Sequence, residues 1–295
     1  MLLSRIRGFK EFTLVHSRDA PVKLPTHLFN CLDLKHLKLE RSIYPLSFRG
    51  FPKLLTLDLH NNASIQGHRY GELIACCPQL ETLKLWDSDL RGQVKLADIT
   101  NLKNVKMLAL SLCLLDNMTM LRVSTVFQHI SLLPKLLELC LRLENCTFLP
   151  EDAQNPVSAN FPFLKTLAFC HMDFSSFSML SFAFRMLIGC TTLQTLFISG
   201  IYKNDVPLPA IFSPDRSTMG QLQLQLQKVR FVSIKGLENE VCLIKYILAC
   251  SPMLKSIEIR LTPYVGINNN EKYKLASKLL KLRRASPMAE IILYS

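Results

Sequence analysis

The chain has 295 residues, and 49% of them are hydrophobic, which is enough to form an extensive core. No apolar run reaches the roughly 18 residues that a membrane-spanning helix needs, and the first residues lack the cleavage site of a signal peptide. The formal charge is +12, from 35 Lys and Arg against 23 Asp and Glu, and the positive residues are spread along the chain. We therefore expect a soluble protein of the cytoplasm, the nucleus or both.

A short apolar pattern recurs along the chain, in which one apolar residue is followed three and five positions later by two more. Copies begin at Phe9, Leu34, Leu54, Leu80, Val105, Leu136, Leu164, Leu193, Val229 and Leu254, with a weaker copy at Met288. The spacing of the copies centres on the period of leucine-rich repeats. The pattern predicts an α/β fold, a right-handed, horseshoe-like leucine-rich-repeat solenoid. Its parallel strands would line the concave face, and its helices and loops the convex face.

The elements follow from these repeats in chain order. Each copy predicts a short strand, because apolar residues two positions apart point to the same side of a strand. Helices are predicted between strands, at residues 71–77, 119–133, 178–189, 240–249 and 271–284. Insertions at 145–160 and 202–220 predict loops. Residues 221–227 alternate Gln with Leu, which fits either a low-complexity segment or a strand leading into the next repeat.

The ten cysteines are predicted to be reduced. Cys31, Cys77 and Cys190 each stand three residues before a repeat, and a recurring position in a repeat is a recurring place in its core. The sequence has no CxxC motif and no spacing of Cys and His typical of zinc sites.

No catalytic motif is present: the sequence lacks a P-loop and the GxGxxG, HExxH and GxSxG motifs. We therefore predict that the protein is not an enzyme, with no catalytic residues, no cofactor and no metal ligands.

The strand positions between the repeat leucines are predicted to face outward and to form a protein-binding surface. Rigid strands reduce the ordering cost of binding, and aromatic residues and Arg dominate binding hot spots. The candidate binding residues on this concave face are His36, Lys38, Asp58, His60, Lys84, Trp86, Glu138, Arg142 and Phe197. The alternative for Trp86 is that it packs under a neighbouring loop.

Two regions of the sequence resemble a known family. LPTHLFNCLDLKHLKLERSIYPL (24–46) and GFPKLLTLDL (50–59) resemble the opening repeats of plant F-box proteins with leucine-rich repeats. Residues 229–259 and KLLKLRRASPMAEIILY (278–294) resemble the FBD module that ends many of them. The resemblance implies a leucine-rich-repeat array over 1–228 and an FBD-like region over 229–295 that continues and caps it.

The same resemblance implies the substrate-recognition part of an SCF-type ubiquitin ligase. In that family an F-box precedes the repeats and binds a Skp-type adaptor. No F-box is expected in the chain as given, so adaptor binding is expected only if one lies upstream. We predict a monomer that binds a target protein and that binds neither membranes nor nucleic acid.

Two alternatives belong to other functional classes. A leucine-rich-repeat receptor ectodomain would need a signal peptide and disulfide-bonded caps. A nucleic-acid-binding scaffold would be favoured by the charge of +12 and would show a steep dependence of binding on salt.

Overall fold

The computed structural model describes residues 9–16, 21–24, 26–44, 50–61, 63–64, 70–86, 94–115, 123–146, 160–202, 223–262 and 269–294. The chain divides into two compact units, Met1–Thr147 and Phe148–Ser295, called here the N-terminal and C-terminal units. The predicted loops at 145–160 and 202–220 lie almost entirely outside the described residues. The predicted boundary between 228 and 229 stays a prediction.

The N-terminal unit is built on a parallel sheet with one strand for each repeat. Its strands lie in chain order and pair with their sequence neighbours in parallel: β1 (Glu11–Val15), β3 (His36–Glu40), β5 (Thr56–His60), β7 (Thr82–Trp86), β8 (Met107–Ser111) and β9 (Glu138–Arg142). Three helices lie between strands: α1 (Tyr70–Ala75), α2 (Leu96–Thr100) and α3 (Val123–Ser131). The sequence did not predict α2.

A second, three-stranded parallel sheet in this unit was not predicted. It consists of β2 (Val22–Lys23), β4 (Ser42–Tyr44) and β6 (Ala63–Ser64). Arg41 and Asn61, with φ of 49° and 46°, turn the chain from the main strands into β4 and β6. The left-handed region is uncommon for residues other than glycine. Here each of these residues donates its N–H to the strand of the next repeat, Arg41 to the carbonyl of His60 and Asn61 to that of Trp86.

The C-terminal unit repeats the same construction with longer helices. Its parallel strands are β10 (Thr166–Asp173), β11 (Thr195–Ile201), β12 (Lys228–Ile234), β13 (Ser256–Leu261) and β14 (Glu290–Tyr294). Its helices are α4 (Phe177–Gly189), α5 (Glu238–Cys250) and α6 (Asn269–Leu280). The last helix ends four residues before the predicted end at 284.

A recurring turn starts the repeats. The N–H of Leu54 donates to the carbonyl of Phe51 at 3.1 Å, and Pro52 occupies the second position of this turn, which its fixed φ favours. The carbonyl of Lys35 then accepts the N–H groups of both Leu55 and Thr56, at 2.8 and 3.0 Å. Equivalent bonds recur in both units, so the backbone polar groups at these strand starts are satisfied by the preceding repeat.

The structure corrects the predicted register of one repeat and the first core position of another. Val229 pairs with Leu196 of β11 and Ile257 of β13, so this repeat begins at Leu226, three residues before the predicted start. Leu226 is fully buried. Residues 223–227 precede the strand and are not part of it. The Gln-Leu alternation therefore does not form a strand in these described residues.

The predicted final copy has the right strand register, since Ile291 and Leu293 pair with Ile257 and Ile259, but its first position differs. Met288 is 76% exposed, whereas Ala289 is buried and donates its N–H to the carbonyl of Ser286, closing the turn. Ala289 therefore takes the core position that the sequence assigned to Met288.

The repeat leucines form the core, together with aromatic residues from the helices. Leu37, Leu57 and Leu83 on neighbouring strands are buried. Phe184 of α4 and Tyr246 of α5 pack edge to face with ring centroids 4.9 Å apart. All ten cysteines lie among the described residues, and none is in a disulfide. The ordered parallel strands alternating with helices confirm the prediction of an α/β leucine-rich-repeat fold.

One polar network is buried in the C-terminal unit. Glu240, in the first turn of α5, accepts the N–H groups of Gly236 and Leu237 on Oε2, at 2.6 and 2.7 Å. Its Oε1 accepts the N–H of Lys235 at 3.2 Å and the hydroxyl of Tyr202. Burial raises the pKa of the Glu240 carboxyl, and the hydrogen bonds it accepts lower it. The carboxylate thus holds together the turn that leads from β12 into α5.

Candidate protein-binding face

The outward positions of the first strands bring three predicted residues into one row. Parallel pairing sets Lys38 of β3 opposite Asp58 of β5, and Asp58 opposite Lys84 of β7. Because neighbouring strands lie roughly 4.8 Å apart, Asp58 has a lysine on each neighbouring strand. We call Lys38, Asp58 and Lys84 the central row.

A second row lies two residues further along the same strands. Pairing sets Glu40 opposite His60, and His60 opposite Trp86. The rings of His60 and Trp86 have centroids 6.3 Å apart at 47°. Trp86 is half-buried in this position, and the residues that follow it lie outside the described part, so the alternative of packing under a loop stays open.

The carboxylate of the central row is turned along its own strand towards the second row. His60 Nε2 lies 2.7 Å from Asp58 Oδ1, and the Asp58 side chain is only 13% exposed. The contact lacks the alignment of a hydrogen bond, which leaves this buried oxygen without a hydrogen-bond partner among the described residues. The contact is an ion pair only when His60 is protonated.

Neither lysine of the central row is engaged in the same way. Among the described residues, Lys38 and Lys84 have no hydrogen-bonding or ion-pair partner, and both are half-buried. The other predicted residue of β3, His36, has its Nδ1 3.1 Å from the hydroxyl of Thr56. Within the described residues, the two lysines are thus cations of this surface that are available to a ligand.

The two predicted residues of β9 lie three strands from β5 in the sheet order of this unit. Glu138 pairs with Met107 in register and is exposed. Arg142 pairs with Ser111, and its guanidinium lies 3.0 Å from the carboxylate of Glu144. Ser111, opposite Arg142 on the intervening strand, is fully buried, so β8 separates Glu138 and Arg142 from the charged side chains of β3, β5 and β7.

Phe197 belongs to the C-terminal unit, where it pairs in register with Ala168 and Arg230. Sequence reasoning missed the charged residues beside it. Arg230 Nε donates to Glu258 Oε2 at 2.8 Å, and Arg260 lies over the ring of Tyr294 at 5.9 Å. The register error at Val229 left Arg230 out of the predicted outward positions, and the spacing Leu226, Val229, Phe231 fits the repeat equally well, so spacing alone did not identify it.

No arrangement for chemistry stands out in the described part of the chain. No group of three or more His, Cys, Asp or Glu residues there is placed to hold a metal ion. Burial raises the pKa of the Cys77 thiol to about 12, which disfavours the thiolate form that reacts. None of the helices described is long and apolar enough to cross a membrane.

Comparisons with known proteins agree with this architecture. Residues 3–121 match the family model described as "FBD-associated F-box protein At5g56370, LRR repeats". The matched residues are similar to the leucine-rich repeats of plant F-box/FBD/leucine-rich-repeat proteins.

The F-box/FBD/LRR-repeat protein At1g13570 of Arabidopsis thaliana is 23% identical over 317 aligned residues, which cover 99% of this chain and 74% of the relative. The match with the family model falls within the N-terminal unit, which holds the central row.

Proposed function

We propose that this chain is a protein-binding module that recognises a target protein for an SCF-type ubiquitin ligase. The observation that carries the proposal is the outward face of β3, β5 and β7, where lysine, histidine and tryptophan side chains lie on a fixed backbone. Backbone hydrogen bonds tie each of these strands to its neighbours, so little conformational entropy is lost when a partner binds. The similarity to F-box/FBD/LRR-repeat proteins supports the assignment to a ligase.

Within this proposal, residues 1–228 are the target-binding array, and 229–295 are the FBD-like region that caps it. The burial of Leu279 of α6 and the pairing of β14 with β13 support a capping role. The module acts as a monomer in the cytoplasm, the nucleus or both, and a Skp-type adaptor is a partner where an F-box accompanies it.

A site-specific photo-crosslinker tests the binding role. The reactive amino acid is placed at His36 on the outward face of β3, and in a control at Lys245, which is exposed on α5. Each protein is expressed in plant cells and irradiated. We expect a discrete protein adduct from position 36 and none from position 245, while equal adducts from both positions would refute a binding role for this face.

The ligase role is tested on the protein captured in that experiment. Its half-life is measured after protein synthesis is blocked, with and without overexpression of this chain fused to an F-box. We expect a shorter half-life with the fusion and recovery with a proteasome inhibitor. An unchanged half-life would limit the chain to binding.

A further inference from the structure

The central row carries an excess of positive charge that no described residue neutralises. Asp58 stands between Lys38 and Lys84, but its Oδ1 lies 2.7 Å from His60 Nε2. The one carboxylate of the row, Asp58, faces a histidine. Lys38 and Lys84 are half-buried residues, and neither has an ion-pair partner among the described residues. An anion that reached this row would find two positive charges, one on each side.

The size of the site fits one carboxylate. The strands of Lys38 and Lys84 are separated by one intervening strand, hence by roughly 10 Å. Each flexible lysine side chain can reach inward, so a single carboxylate between them is within range of both, while the Asp58 carboxylate is directed to His60. Charge-assisted bonds of this kind are stronger than neutral ones.

The second row adds an apolar contact at a fixed distance. Trp86 follows Lys84 by two residues on β7, so their Cα atoms lie roughly 6.7 Å apart. An extended peptide has the same repeat distance between its residues i and i+2. A peptide lying along β7 therefore places an apolar side chain against Trp86 when an acidic side chain, two residues away, lies over the central row.

The negative charges on the same surface discriminate against nucleic acid. Glu40 lies in the second row beside His60, where a continuous phosphate backbone that crossed both rows would meet its carboxylate. Local acidic groups repel a polyanion, whereas a peptide with one carboxylate and an uncharged neighbour avoids Glu40.

We propose that the N-terminal unit binds an extended acidic segment of its target protein, with an Asp or Glu held between Lys38 and Lys84 and an apolar residue two positions away against Trp86. This proposal rests on the proposed protein-binding function and specifies the chemistry that the face recognises.

The test begins with selection of phage-displayed random 12-residue peptides on the full chain. Enriched peptides are synthesised with a fluorescent label, and their Kd values are measured by fluorescence polarisation. The double variant Lys38→Gln/Lys84→Gln removes both cations. The control Lys245→Gln/Lys274→Gln removes the same net charge from exposed positions on α5 and α6, and Lys38→Arg/Lys84→Arg retains the charge on the face.

We expect enriched peptides to share an acidic residue and an apolar residue two positions apart. The Gln double variant should raise Kd by about tenfold, which corresponds to about 1.4 kcal/mol. The control pair and the Arg pair should stay within about twofold. Replacing the peptide's acidic residue by its amide should weaken binding to the wild-type chain but add little to the loss in the Gln double variant.

Other outcomes separate the two proposals. Peptides that lack the acidic residue, or that bind the Gln double variant equally well, would overturn the acidic-segment proposal and leave protein binding in place. Failure to enrich any peptide would count against both. Tighter binding of a labelled single-stranded oligonucleotide, lost in the Gln double variant, would assign the lysines to nucleic acid instead. If the Gln double variant melts early, the Arg pair and the amide peptide decide the question.

Discussion

Replacing Glu240 by Ala is expected to destabilise the C-terminal unit strongly. The Glu240 side chain is fully buried and accepts the N–H groups of Lys235, Gly236 and Leu237 together with the hydroxyl of Tyr202. Gly236 also has a positive φ of 86°, and a Cβ there would lie 3.0 Å from Leu275 of α6. The turn before α5 thus depends on this carboxylate for its hydrogen bonds.

The magnitude follows from the donors that lose their acceptor. An unsatisfied buried donor costs about 1–3 kcal/mol, and loss of one partner from a buried charged network typically costs about 3–5 kcal/mol in total. The Lys235 N–H retains the Tyr202 hydroxyl oxygen at 2.9 Å, and that hydroxyl can still donate to the carbonyl of Ser233 at 3.2 Å. We therefore expect Glu240→Ala to lower the free energy of unfolding by about 3–4 kcal/mol.

Glu240→Gln is expected to cost less, about 1–2 kcal/mol. Its amide oxygen can still accept the N–H groups of Gly236 and Leu237, while its NH₂ group would face the Lys235 N–H. Glu238→Gln is the matched control. This neighbour on the same helix is 64% exposed and forms an ion pair with Lys278. Surface pairs of this kind contribute at most about 1 kcal/mol.

Urea denaturation followed by far-UV circular dichroism measures the free energies. Hydrogen–deuterium exchange of a peptide covering 232–240 shows whether the loss is local, because the amides of Lys235, Gly236 and Leu237 should lose protection. The reasoning would be refuted if Glu240→Ala cost no more than Glu238→Gln, or if exchange in this peptide did not change.

Three further outcomes are expected. Tyr246→Phe should leave the free energy of unfolding unchanged or raise it by about 0.5–1 kcal/mol, because the buried hydroxyl has no hydrogen-bond partner among the described residues; a clear loss in urea denaturation would contradict this. Burial raises the pKa of Cys77 and Cys190, so native protein at pH 8 should resist alkylation at both, whereas denatured, unreduced protein should titrate ten thiols; rapid native labelling of either would show an open core. Deleting 271–295 should cause aggregation or loss of cooperative melting, because Leu254 and the edge of β13 would be exposed; a monomer with an unchanged melting curve would show that this segment is not a cap.

The sequence predicted the strands and the direction of their side chains, and the physical reason is local. Leu37 and Leu39 alternate with His36, Lys38 and Glu40 at the period of a strand, and their burial alternates in the same way. The helices from α3 onwards were also predictable, since apolar residues recur there at helical spacing. Repetition strengthened each of these predictions, because an element supported weakly in one copy is supported again in the next.

Repetition also limited what the sequence could determine. Val229, Val232 and Ile234 match the repeat spacing as well as Leu226, Val229 and Phe231 do, and no local property distinguishes the two. The difference appears only when β12 is placed between β11 and β13, where Leu196 and Ile257 both pair with Val229. A register is a property of neighbouring strands, so it was decided by tertiary structure.

In the candidate site, too, some features follow from the sequence and others only from the tertiary structure. That Lys38, Asp58 and Lys84 occupy equivalent repeat positions follows from the sequence. The Asp58 carboxylate turns to His60, and neither lysine has an ion-pair partner among the described residues. This arrangement depends on side-chain packing, which only the folded sheet fixes. The Glu240 network was outside the reach of any sequence pattern, since Tyr202 lies 38 residues away and meets the carboxylate only after folding.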